Sequence, residues 1–389
     1  MPNLHTYALL AAAIIPPICA QNSRNWPGWD RIQTIFSFGD SYTDTGFEIN
    51  GTQPNPSNPF GNPDFPGKTF SNGRNWIDFL AYSYNDSYVS VYNLAKGGAS
   101  VDSFGGPNPF RPFDQQVEDF FLPNYSQNDT SNATWSSNDT LFTAFFGIND
   151  VNASYKLGKS NMTALHQTIF ATYTQLVETL YQAGAKNFVF MNVPAINRSP
   201  AIVVQAGDAE ALAEANRVAV EDFNTRLSDM VQSFVEKHED VAVFTLDNNK
   251  LYNQVLDDPA SRPETEVYTN TTGVCYAYAY GSRDFNEDNF NKTCGAPQKA
   301  YFWLDSLHPT PPIHDAMAAD VAGMLRDNRF VSVASSNSTD STLQPNSTTP
   351  ADPSSSSDTS DASSSFMSTT NPLWNIVCLG AFLLAFDLL

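Results

Sequence analysis

Thr34-Ile35-Phe36-Ser37-Phe38-Gly39-Asp40-Ser41-Tyr42-Thr43-Asp44-Thr45-Gly46 is the stretch on which the reading of this chain turns. Its first residues are an apolar run rich in β-branched and aromatic side chains, as in a parallel strand buried on both faces. The run then gives way to Gly, Asp, Ser and Thr, the residues of turns. Comparable runs recur at Val89–Asn93, Leu141–Phe146, Asn187–Asn192 and Val241–Leu246. Helical patterns lie between them. Trp76–Tyr84 is one, and Asp208–Lys237 another. A third carries Leu165, Ile169, Leu176 and Leu180 on one face and ends at Gly184. Alternating strands and helices predict an α/β fold, a three-layer α/β/α sandwich around a five-stranded parallel sheet. Ligands of such sheets bind beyond the carboxyl ends of the strands, near the switch in strand order.

Four short motifs fall where that rule looks for chemistry. Ser41 follows the first strand, and there it can open a following helix; its hydroxyl is inert until a base removes the proton. Gly-Asp-Ser alone is also an ordinary turn or N-cap sequence. Asn93-Leu94-Ala95-Lys96-Gly97-Gly98-Ala99-Ser100 ends the second strand, and paired glycines let backbone N–H groups approach a ligand. Gly147-Ile148-Asn149-Asp150 closes the third, where an Asn amide can face a developing negative oxygen or simply cap a helix. Trp303-Leu304-Asp305-Ser306-Leu307-His308-Pro309 follows the last strand, with Asp305 three residues before His308 and able to orient it. Of the other histidines, His5 lies in the leader, and His166, His238 and His314 are expected on the surface.

Together these motifs resemble the GDSL esterases, the SGNH hydrolases, from about Thr34 to Leu325. The resemblance implies a flavodoxin-like sheet and an acyl-transfer site. In it Ser41 is the nucleophile, His308 the general base and Asp305 its partner, and the Ser41 amide, Gly98 and Asn149 form the oxyanion hole. Ser37–Tyr42, Thr45-Gly46-Phe47, Asn58-Pro59, Gly61-Asn62-Pro63 and Asn75-Trp76 narrow the resemblance to the fungal acetylesterases of carbohydrate esterase family 16. Tyr42 stands where the family name has Leu, and Phe145-Phe146 stand where Trp and Met are expected. The substrate this implies is a small molecule or oligosaccharide ester, such as acetylated hemicellulose. Tyr42, Phe47, Trp76 and Trp303 are candidates to stack on sugar rings, with core packing as their rival role.

The ends of the chain suggest where it acts. Met1–Ala20 reads as a signal peptide, with an apolar stretch Tyr7–Ile15 and small residues before Gln21. Residues 21–330 form the esterase domain, and 331–365 a Ser/Thr-rich disordered stalk. Residues 366–389, with the apolar run Leu373–Leu389, match a GPI-attachment signal. A tail anchor and free secretion are the alternatives. The mature chain keeps Cys275 and Cys294, an expected disulfide, with no His between them to suggest a metal. Thirteen N-glycosylation sequons occur, at Asn50, Asn85, Asn124, Asn128, Asn132, Asn138, Asn152, Asn161, Asn197, Asn270, Asn291, Asn337 and Asn346. A net charge of −21 repels nucleic acid, and 20 Lys+Arg argue against docking on anionic lipid. No metal, no cofactor and a monomer are expected. The rival functions are a lipase or phospholipase acting on longer acyl esters, and a non-catalytic cell-wall glycoprotein.

Overall fold

The five apolar runs form one parallel sheet in the order β2-β1-β3-β4-β5. The strands are β1 (Thr34–Gly39), β2 (Ser90–Asn93), β3 (Thr140–Phe145), β4 (Asn187–Met191) and β5 (Ala242–Leu246). The computed structural model describes residues 24–103, 110–126, 133–204, 208–279 and 288–332. The expected signal peptide, nearly all of the stalk, the hydrophobic tail and His5 lie outside the described residues. Every residue of β1, β3 and β4 is buried. That explains why these strands appear in the sequence as continuous apolar runs rather than alternating ones. Phe36 sits at the centre of the aromatic core, with ring centroids 5.0 Å from Tyr92, 5.0 Å from Phe121 and 5.3 Å from Phe142.

The helices are α1 (Trp76–Tyr82), α2 (Phe113–Gln115), α3 (Leu122–Tyr125), α4 (Ile148–Ser154), α5 (Lys159–Gln182), α6 (Pro200–Val203), α7 (Ala209–Lys237), α8 (Asn248–Asp257) and α9 (Pro311–Arg326). A wide π-helical turn, Gln116–Phe121, joins α2 to α3. α1 and α8 pack against α9, while α5 pairs with α7, and α2 and α4 lie against that pair. The two helical groups sandwich the sheet. The chain runs outward from β1 to β2 and then back across to β3, so the switch in strand order falls beside β1. Among the described residues, no helix is long and apolar enough to cross a membrane.

Two details of the sequence reading change. No helix follows Ser41; residues 41–43 make a single turn, and the next helix starts at Trp76. Val331, expected to open the stalk, still donates its N–H to the Val243 carbonyl of β5 (2.8 Å). Cys275 and Cys294 form the expected disulfide, closing a loop 19 residues apart in sequence. A loop of that size is worth about 3 kcal/mol in the chain-entropy account.

His314, expected on the surface, is 2% exposed on α9. It falls between Ile313 and Met317 on the stripe that faces the core, and its ring lies 6.1 Å from Tyr42. Burial, aided by the nearby charge of His308, lowers its pKa to about 3. The unfolded chain therefore binds a proton that the fold rejects between about pH 6.5 and 3, and stability falls as pH falls through that window. Wild type should lose about 2 kcal/mol more than His314→Gln between pH 6.5 and pH 5, read by urea denaturation.

Candidate active site

Ser41 sits at the carboxyl end of β1, on a turn closed by the N–H groups of Thr43 (3.0 Å) and Asp44 (2.9 Å) on the Asp40 carbonyl. The end of the strand is clamped by buried Gln116. Its Oε1 accepts the Gly39 N–H (3.0 Å), and its Nε2 donates to the Gly39 carbonyl (2.8 Å) and the Arg111 carbonyl (2.7 Å). The far side of the turn is held by two side-chain amides. Asn75 Nδ2 (2.9 Å) and Asn93 Nδ2 (2.7 Å) both donate to the Thr43 carbonyl. Asn75 also caps α1 in a reciprocal bond with Asp78, and Trp76 Nε1 donates to Thr43 Oγ1 (3.0 Å). The Asn75-Trp76 motif is thus a brace for the serine turn.

His308 arrives from the loop before α9. Its Nε2 lies 2.8 Å from Ser41 Oγ and its Nδ1 2.8 Å from Asp305 Oδ2. Asp305 Oδ1 accepts the N–H groups of Leu307 (2.8 Å) and His308 (2.7 Å), so the carboxylate fixes both the loop and the ring. Burial alone would raise the Asp305 pKa; the imidazole and those two N–H groups outweigh it and hold the carboxyl below its ordinary value. Ser41, Gly98 and Asn149 follow three adjacent strands. The His308 loop instead lies more than a helix beyond β5, so the expectation of a base at a strand end is corrected.

Gly98 has φ +84°, a conformation that favours glycine, and its Cα faces the ring of Phe110. Gly147 (φ +119°) precedes α4, and any side chain there would strike Phe223 and Val193. Asn149 is the second residue of α4. Its amide donates to the Ala99 carbonyl (2.8 Å) and lies 3.4 Å from Asp40 Oδ2, so it is not spent on capping the helix. Among the described residues, neither the Ser41 N–H nor the Gly98 N–H has a hydrogen-bond partner. Burial raises the carboxyls of Asp40 and Asp150 to about 7, in spite of the N–H groups of Tyr42 and Val101 that they accept.

Of the two roles open to the four aromatics, the structure gives core packing. Tyr42, Phe47, Trp76 and Trp303 are all buried, at 3% exposure or less, and belong to the core. Phe145 and Phe146 are core residues too. The aromatics beside the site are two that motif reading missed. Phe70 lies over Gly97 with its ring 5.1 Å from that of His308, and Phe110 covers Gly98. Gln116 was missed as well, since nothing in Phe113-Asp114-Gln115-Gln116 marks which glutamine turns inward.

A second Ser–His–Asp arrangement lies between α4, α5 and α7. His166 Nε2 is 2.8 Å from Ser154 Oγ, and its Nδ1 is 2.8 Å from Asp222 Oδ2. His166, expected on the surface, is fully buried because it continues the stripe of Met162, Ile169 and Tyr173. Burial lowers its pKa despite Asp222. With Ser154 also at 0% exposure, no substrate reaches it, and the group joins three helices. His238 is half-buried against Glu178 (3.0 Å). Among the described residues, no cluster of His, Cys, Asp and Glu is arranged to hold a metal ion. Of the sequons, Asn50, Asn138 and Asn161 are exposed, and Asn85, Asn124, Asn152, Asn197, Asn270 and Asn291 are half-buried. Asn128, Asn132, Asn337 and Asn346 lie outside the described residues.

The family model of the GDSL-like lipase/acylhydrolases matches residues 35–321. The chain is similar to an acetylesterase of Thermothelomyces thermophilus, at 32% identity over 305 residues, covering 76% of this chain and 89% of that protein. It is also similar to a GDSL esterase/lipase of Arabidopsis thaliana, at 25% identity over 74% of this chain and 86% of that protein. Among solved structures, an acetylxylan esterase from Geobacillus stearothermophilus gives a weak likeness, with a TM-score of 0.37 at 16% identity over 78% of this chain and 97% of that one.

The two serines differ in exposure, Ser41 at 6% and Ser154 at 0%. A fluorophosphonate probe is expected to label wild type and Ser154→Ala at similar rates and to leave Ser41→Ala unlabelled. Equal labelling of Ser41→Ala and wild type would place the reactive serine elsewhere.

Proposed function

The chain belongs to the GDSL-like lipase/acylhydrolase family and is a carboxylic ester hydrolase, and from that premise we propose that it removes short acyl groups, chiefly acetyl, from oligosaccharide esters such as those of hemicellulose. The observation that carries this reading is the unbroken Asp305–His308–Ser41 chain of hydrogen bonds beside two unpartnered backbone N–H groups. Ser41 Oγ attacks the ester carbonyl as His308 Nε2 takes its proton, and the imidazolium returns that proton to the departing alcohol. Asp305 keeps Nδ1 protonated and steadies the positive ring. The oxyanion forms against the N–H groups of Ser41 and Gly98 and the Asn149 amide, which the Ala99 carbonyl orients. Water then enters by the same route and frees the acid. Beyond the chain and the ester, these steps draw only on water.

The preference for acetyl is supported by the acetylesterase of Thermothelomyces thermophilus and by the rings of Phe70 and Phe110, which close on the paired glycines. On p-nitrophenyl esters from acetate to palmitate, kcat/KM should fall steeply beyond butyrate. A maximum at octanoate or longer would replace this reading with a lipase.

The ends of the sequence support action outside the cell, with Met1–Ala20 removed and the tail exchanged for a GPI anchor. In a eukaryotic secretory host, phosphatidylinositol-specific phospholipase C should release the enzyme from cells. Activity that stays with the cells after that treatment would rule out the anchor.

A further inference from the structure

We propose that the Tyr42 hydroxyl is a positioning device that holds the loop of His308 in register with Ser41. This rests on the reading of Ser41 and His308 as nucleophile and base. Tyr42 directly follows the nucleophile and is 1% exposed. Its Oη donates to the carbonyl of Leu307, the residue before His308, at 2.6 Å. The loop has other supports, and each ties it to something other than the serine turn. Asp305 accepts the N–H groups of Leu307 and His308 within the loop, and the Leu304 N–H donates to the His308 carbonyl (2.8 Å). The Ala201 N–H of α6 donates to the Ser306 carbonyl (2.7 Å). Between turn and loop, the Ser41–His308 bond is the one that catalysis must break and remake. The Tyr42 bond is not consumed.

The ring is held from three sides, with centroids 5.8 Å from His308, 5.9 Å from Phe145 and 6.1 Å from His314. The hydroxyl therefore has one place to go. Burial keeps the phenol protonated far above its ordinary pKa, so it stays a donor throughout any working range. A leucine here, as the family name has it, fills much of the same space and carries no donor. The tyrosine thus does for this chain what leucine has no means to do, and links the two catalytic segments without touching substrate.

The test compares two hydroxyl deletions. Tyr42→Phe keeps the ring and frees the loop. Tyr278→Phe is its control, since Tyr278 is 2% exposed and its Oη donates to the Ala296 carbonyl (2.7 Å), beside the disulfide. Kinetics on p-nitrophenyl acetate are read well below each variant's own melting temperature. Tyr42→Phe should lower kcat about 10–100-fold, as misplacement by an ångström does. KM should stay within roughly twofold, and fluorophosphonate labelling of Ser41 should slow in step with kcat. Tyr278→Phe should melt earlier and keep wild-type kcat. Wild-type kcat and labelling in Tyr42→Phe would overturn the proposal, as would an equal loss of kcat in both variants. Turnover by Ser41→Ala at the wild-type rate would instead remove the underlying reading of the site.

Discussion

The carbonyl oxygen of Thr43 is the point on which the rest of this site depends. A backbone acceptor with two lone pairs takes two side-chain amides here, one from the cap of α1 and one from the end of β2. Helix, strand and turn are thereby pinned to one atom two residues beyond Ser41. Gln116 does the complementary work on the other side, satisfying the N–H and carbonyl of Gly39 as a neighbouring strand would. Buried backbone groups at a strand end must find partners. Meeting that demand with side chains as well as with the neighbouring chain, where the Lys96 N–H also reaches the Gly39 carbonyl (3.1 Å), holds Ser41 on a rigid turn.

Charge is distributed around this turn in a way that geometry alone would not suggest. Asp305 is held ionised by an imidazole and two N–H groups. Asp40 and Asp150, adjoining Ser41 and Asn149, are buried deeply enough that desolvation dominates, and their carboxyls rise to about 7. The acid bonded to His308 therefore stays charged, while the two acids beside Ser41 and Asn149 are drawn toward neutrality. An anion forming near Asn149 meets less repulsion than a count of nearby carboxylates implies.

The fold was legible because parallel strands buried on both faces leave uninterrupted apolar runs, and all five runs became strands in one sheet. The hydrogen-bonded set of Ser41, His308 and Asp305 was legible for a different reason. Asp305 and His308 share one turn, and Ser41 follows a strand, so local spacing carries the information. What spacing does not carry is which way a side chain faces. His166 and His314 are polar letters within apolar stripes, and periodicity alone assigns such letters to solvent. The same gap explains Tyr42, Phe47, Trp76 and Trp303, whose nearness to motifs in sequence says nothing of whether they point to cleft or core. Phe70 and Gln116 take their roles from contacts across 238 and 77 residues, which no local pattern encodes.

Ser41 and His308 stand 267 residues apart in the sequence, and His308 follows all five strands of the sheet. A ribosome making this protein therefore supplies Ser41 and all five strands before it supplies the histidine. A chain cut short before residue 308 lacks the base proposed for Ser41. On the proposed mechanism, the order of segments by itself withholds hydrolysis from any chain that stops short of this histidine.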